Sequence, residues 1–374
     1  MIRPASDPII YFDNAATTWP KPPGVVAAVT DYMTNVGGSP GRSGHRLASE
    51  AGRIVLEVRE NLARLFNVAD PGRIVLTKNA TEALNVAILG LDKPRKRVIT
   101  TGAEHNSVMR PLRWLEATGQ LRLEVIPCRR DGVLDLDALR VSLRQPADLV
   151  VATHASNVTG VVNPLSEIGA LARQAGAAFL VDAAQTAGAY PIDVKAMGID
   201  LLAFTGHKSL FGPTGTGGLY VHERLTLSPL MRGGTGSRSE AEAQPDFMPD
   251  QLESGTLNCA GLAGLRAGTA FILGEGIDRI TGHDRGLTVA LIEGLLAIDG
   301  VRLYGPPTPD GRISLISFNL RGMSPSEVGL MLDEEYGVMC RVGLHCAPAA
   351  HRALGTFPEG TVRFSLSYLN TRSQ

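Results

Sequence analysis

An α/β fold on a mostly parallel sheet, followed by a smaller α/β domain, is what the chain predicts. Between residues 70 and 225 short apolar runs alternate with longer helical patterns, as expected of strands lying parallel under a cover of helices. A second series of strand and helix patterns follows residue 256, and 374 residues exceed what one compact core usually holds. The strands of the first series fall at 73–77, 97–101, 121–127, 148–153, 178–182 and 201–204. Helices fill the gaps at 81–89, 108–118, 136–143 and 165–174. A seventh strand at 217–222 is expected to run antiparallel. Residues 232–250, rich in Gly, Ser, Pro and acids and without periodicity, read as a functional loop. Beyond it come helices at 260–273, 285–297 and 324–335, and strands at 312–319, 337–342 and 361–367.

Composition narrows the function. Hydrophobic content of 44% and charged content of 20% fit a soluble globular enzyme. With 36 basic and 37 acidic residues the formal net charge is −1, so no electrostatic argument favours nucleic acid or an anionic membrane. No apolar run is long enough to span a bilayer, and residues 1–10 lack the core of a signal peptide. The four cysteines, Cys128, Cys259, Cys340 and Cys346, have no CxxC spacing. That argues against a metal site and for a cytoplasmic protein with free thiols.

Lys208 carries the most chemical information. It follows a buried-type strand and lies in Thr205-Gly206-His207-Lys208-Ser209, before the glycine-rich run Gly212-Pro213-Thr214-Gly215-Thr216-Gly217. A lysine so placed suits a Schiff-base nucleophile, although most lysines at strand ends are simply solvated. Upstream, the strand Val181-Asp182 ends in an acid and is followed by Gln185. A buried acid paired with a Schiff-base lysine is what pyridoxal phosphate (PLP) requires, since the acid keeps the pyridine nitrogen protonated. Asn79-Ala80-Thr81 opens a helix whose free N–H groups suit a phosphate, although plain capping explains many such starts. Glu104-His105-Asn106 and Ser156-Asn157 follow strands, at the carboxyl ends where α/β sites form. His105 suits ring stacking and proton relay. Asn157 suits a ring hydroxyl. Cys346, beside His345 and past the last strand-like run, is the thiol with both access and polar neighbours; Cys340, inside that run, reads as a small core residue. Arg363 alternates with apolar residues on a strand and offers a fork for a carboxylate.

Taken together these motifs resemble the group II cysteine desulfurases and selenocysteine lyases, class V aminotransferases of PLP fold type I. The resemblance also includes Tyr11-Phe12-Asp13-Asn14-Ala15-Ala16-Thr17-Thr18, Glu253-Ser254-Gly255-Thr256-Leu257-Asn258 and Arg341-Val342-Gly343-Leu344-His345-Cys346-Ala347. It implies a large PLP-binding domain over 16–255 and a small domain from 1–15 plus 256–374. It implies PLP on Lys208, Asp182 at the ring nitrogen, Gln185 at the ring oxygen and His105 stacked on the ring. Thr81, Thr205, His207 and the helix start at Ala80 would hold the phosphate, with Thr256 reaching in from the partner of a homodimer. Asn157, Arg363 and His45 would line the substrate side, with Arg341 flanking the thiol loop and Cys346 accepting sulfur. The implied reaction converts L-cysteine to L-alanine and leaves a persulfide for a sulfur-acceptor protein, as in iron–sulfur cluster assembly. Selenocysteine lyase, another C–S lyase or an aminotransferase is the alternative. Leu344 stands where a histidine is frequent, and Ala80 where a second threonine or a glycine is.

Overall fold

A computed structural model describes residues 9–374, apart from 42, 43, 92, 94 and 239. The first eight residues of the expected small domain therefore lie outside the described residues.

The large body is a seven-stranded sheet built from β2 (Ile74–Thr77), β3 (Lys96–Thr101), β4 (Leu121–Ile126), β5 (Leu149–Thr153), β6 (Ala178–Asp182), β7 (Leu201–Thr205) and β8 (Gly217–Val221), in the order β2-β8-β7-β6-β5-β3-β4. Strands β7 through β4 run parallel, while β8 is antiparallel to both β7 and β2. β5, β6 and β7 are buried along their whole length, which explains why they read as unbroken apolar runs. One face is covered by α2 (Arg46–Phe66), α6 (Leu165–Gln174) and α7 (Cys259–Glu275), with Phe66, Phe179 and Phe204 in the core between. α3 (Ala80–Gly90) and α4 (Asn106–Ala117) cover the other face. α1 (Pro23–Asp31) packs on α7.

The second body is a four-stranded sheet in the order β12 (Arg341–Gly343), β13 (Thr361–Ser365), β10 (Leu315–Leu320), β9 (Val301–Tyr304), backed by α8 (Ile277–Leu296) and α9 (Pro325–Tyr336). The N-terminal β1 (Ile10–Tyr11) pairs parallel with β11 (Val338–Met339), and Asp13 bridges Ser365. The single strand expected over 337–342 is corrected to two, in different sheets, with Cys340 between them. The helix expected from 285 starts at Ile277, because Gly276 (φ 85°) turns the chain directly out of α7. α7 lies beyond the expected boundary at 255, yet its buried residues Leu262, Ala263, Leu265 and Ile272 join the large core. α2 was not anticipated; Val58, Leu62 and Phe66, on one face and buried, are the signal that would have found it.

Candidate active site

The carboxyl ends of the parallel strands open on a cavity of about 220 Å³. Its lining brings together Ala80, Thr81, His105, Asn157, Asp182, Gln185, Thr205, His207, Lys208, Arg341 and Arg363. The loops at these strand ends are the ones flagged in the sequence, since neighbouring parallel strands deliver their last residues to one edge.

Lys208 is part of that lining. Burial lowers its ammonium to about 8, with Asp182 pulling the other way. Asp182 is buried, and among the described residues only the Ala184 N–H donates to its Oδ1, at 2.9 Å. Burial raises its carboxyl, with that bond and Lys208 opposing. A protonated ring nitrogen is the partner such an acid lacks. His105 caps α4: the Ser107 N–H donates to Nδ1 at 3.0 Å, so the neutral ring carries its proton on Nε2. Burial, followed by Lys208, Arg341, Arg110 and Arg363, lowers the ring to about 4. Gln185 lines the cavity but donates its amide to the Ala15 carbonyl at 3.2 Å.

Three features make an anion cradle at one end. α3 begins there, capped by Asn79, whose side chain accepts from Glu82 N–H at 2.9 Å. Thr205 Oγ1 and His207 Nδ1 are buried without a partner among the described residues. Burial, with Lys208 and Lys21 adding, lowers His207 to about 4. β8 lies close against this helix start: a Cβ on Gly217 would stand 2.8 Å from Asn79 Cα, so glycine is needed there. Free N–H groups, a hydroxyl and a ring nitrogen on one cavity fit a phosphate.

Arg363 is almost wholly buried. It donates to Asp13 Oδ1 at 2.8 Å and to the Asn157 carbonyl at 3.1 Å, leaving Nε without a partner among the described residues. Asn157 in turn donates to the His345 carbonyl at 2.6 Å, so its amide group holds the thiol loop. The Cys346 carbonyl accepts from Asn106 N–H at 2.9 Å. His345 and Cys346 adopt left-handed conformations, φ 48° and 59°, which these two anchors sustain. Cys346 is exposed, with Sγ 3.7 Å from the Arg341 guanidinium. His345, next to Cys346 in sequence, has its ring buried, with Nε2 3.1 Å from Thr361 Oγ1.

Three expected residues fall outside that lining. Cys346 lines a neighbouring cavity with His105, Asn106 and Trp114. His45 is the exposed N-cap of α2, its ring accepting from the Ala48 N–H. Thr256 is exposed and lines a separate cavity with Thr77, Lys78, Leu230 and Met231. The sequence reading gives no individual role to Asp13, Ser107 or Glu104. Only the motif neighbourhoods of Ser107 and Glu104, next to His105, pointed toward them.

The class-V aminotransferase family model matches residues 10–374. The chain belongs to that family. Family members depend on PLP, and the residues around Lys208 fit it. A probable cysteine desulfurase from Methanothermobacter thermautotrophicus is 38% identical over 98% of this chain and 92% of its own length. One from Pyrococcus abyssi is 36% identical over the same shares. Among solved structures, the apo cysteine desulfurase from Thermococcus onnurineus superposes with a TM-score of 0.91 at 36% identity, covering 97% of this chain and 91% of that one. The cysteine desulfurase CsdA from Escherichia coli gives 0.86 at 31% identity, over 98% and 91%.

Proposed function

We propose that this class-V aminotransferase is a cysteine desulfurase that takes sulfur from L-cysteine onto Cys346 and releases L-alanine. The observation that carries this reading is an exposed thiol on a loop held by Asn157, which lines the cavity with Lys208, and by Asn106, which shares with Cys346 a neighbouring cavity that His105, Thr81 and Ser107 also line. PLP supplies the electron sink that makes the substrate Cα–H acidic. Lys208 Nζ, with its proton affinity lowered by burial, moves that proton. Arg363 orients the substrate carboxylate through the N–H groups not committed to Asp13 or Asn157. His105, whose neutral ring lines the cavity with its proton on Nε2, would lie against the bound cofactor and could pass that proton there. Cys346 Sγ, as the thiolate, then attacks the substrate sulfur; the S–S bond forms as the substrate C–S bond breaks. Arg341 gives the enzyme sulfur a hydrogen-bond partner.

Thr256 and His45 belong, on this reading, to the neighbouring subunit's site in a homodimer. Their exposure away from their own cavity supports it, as do Leu230 and Met231, at 41% and 46% exposure. The division into domains at 16–255 and 1–15 plus 256–374 is part of the same proposal, with α7 riding on the larger one. So are a cytoplasmic location and a sulfur-acceptor protein that collects from Cys346. The test measures alanine release from L-cysteine with a reductant present. Cys346→Ala is expected to lose that turnover while keeping the cofactor's visible absorbance. Undiminished turnover, or turnover of L-selenocysteine alone, favours a lyase instead.

A further inference from the structure

Glu104 is the member of the Glu104-His105-Asn106 motif left without a task. It sits in the turn between β3 and α4 with no exposed surface. Its Oε1 accepts from Thr101 Oγ1 at 2.7 Å and from the Thr153 N–H at 2.8 Å. Oε2 is buried without a partner among the described residues. Thr153 ends β5, lines the cavity and stands in register with Asp182 at the end of β6. Glu104 therefore ties the turn that carries His105 to the strand end beside Asp182. The titratable groups that feel it are Asp182, from β6, and Cys128, from the segment after β4. No arginine or lysine pairs with it among the described residues.

We propose that Glu104 is a positioning residue that works as a neutral acid, locking the His105 turn onto β5 without placing a second negative charge behind Asp182. Burial pushes its carboxyl up to about 8; the Thr101 and Thr153 bonds oppose the rise and Asp182 adds to it. Both bonds to Oε1 need only an acceptor, which a protonated carboxyl still provides. A carboxylate at this point would face Asp182 in a site with no cation to offset it.

The proposal rests on the cavity being the cofactor site, but its first test does not. An acid that keeps its proton in the native state above the ordinary value of 4.5 stabilises the fold fully below that pH. The contribution is lost as pH rises toward about 8. Thermal unfolding of the cofactor-free protein is followed between about pH 5 and about pH 8 for wild type, Glu104→Gln and Glu104→Ala. The midpoint of wild type is expected to fall relative to Glu104→Gln as pH rises, because the amide has no proton to lose. In the holoenzyme, Glu104→Gln is expected to keep kcat within about threefold near neutral pH. Glu104→Ala is expected to lose kcat by about tenfold or more at nearly unchanged KM, through a displaced His105. Parallel midpoint–pH curves for wild type and Glu104→Gln overturn the proposal, as does a Glu104→Gln kcat as low as that of Glu104→Ala. If L-cysteine is not the substrate, the kinetic arm falls silent for all three proteins while the unfolding arm still decides.

Discussion

At Lys208 burial and Asp182 pull the ammonium in opposite directions, and burial wins, leaving it at about 8. An amine so poised is partly neutral under mild conditions, which suits both attachment of a carbonyl cofactor and proton transfer. Lys208→Arg keeps a cation but cannot form a Schiff base. The variant is expected to lose the visible absorbance band of the bound cofactor and to lose turnover by roughly a hundred- to ten-thousand-fold; a retained band at the wild-type wavelength would contradict the assignment. Lys208, Asp182 and His105 could be picked out as candidates in the sequence because each lies at or just past the end of an apolar strand, where the residues turn polar. Asp13 could not. Its task is defined by Arg363, 350 residues away, and no local pattern announces such a pairing. Asn157 was legible as a site residue but its partner was not, since the His345 carbonyl it holds lies 188 residues on.

Elements of the large sheet were readable for a physical reason: β5, β6 and β7 are buried on both faces and need apolar side chains at every position. The break at Cys340 was unreadable because β11 and β12 each take a different partner strand, a choice made by the tertiary fold. The same is true of Glu253, which joins the segment before α7 to both α2 and β2. It forms a two-bond ion pair with Arg59, at 2.8 and 2.7 Å, and accepts from Leu76 N–H at 2.5 Å. Both side chains are more than nine-tenths buried. Removing one partner leaves the other charge uncompensated, which costs about 3–5 kcal/mol. Arg59→Met is expected to lower unfolding stability by about that amount, measured by urea denaturation of the cofactor-free protein. Adding Glu253→Gln is expected to recover part of the loss, because the stranded charge goes with it. A single variant within about 0.5 kcal/mol of wild type would mean that water reaches Glu253.

Across the whole molecule, residues 10–21 connect the two sheets through the site. β1 pairs with β11, and the Asn14 amide donates to the Ser365 carbonyl at 2.9 Å. Asp13 holds Arg363 at 2.8 Å. The same segment then crosses to the large body, where the carbonyl preceding Lys208 accepts from Thr18 N–H at 3.1 Å, Thr17 Oγ1 at 3.2 Å and Lys21 Nζ at 2.6 Å. Burial lowers the Lys21 ammonium to about 8. One strap thus links the guanidinium expected to meet substrate with the backbone that positions the nucleophilic lysine. Asp13→Asn tests that link. The amide oxygen still accepts from Arg363 but no longer balances its charge, and a buried guanidinium without a counter-ion costs about 3 kcal/mol. The variant is expected to melt at lower temperature than wild type. A carboxylate ligand restores the missing charge, so the product L-alanine is expected to raise the melting temperature of Asp13→Asn more than that of wild type. Glycinamide, which has no carboxylate, is expected to raise neither. If L-alanine stabilises both proteins equally, Asp13 does not share Arg363 with the ligand, and the strap holds the two sheets together without sensing what enters the site.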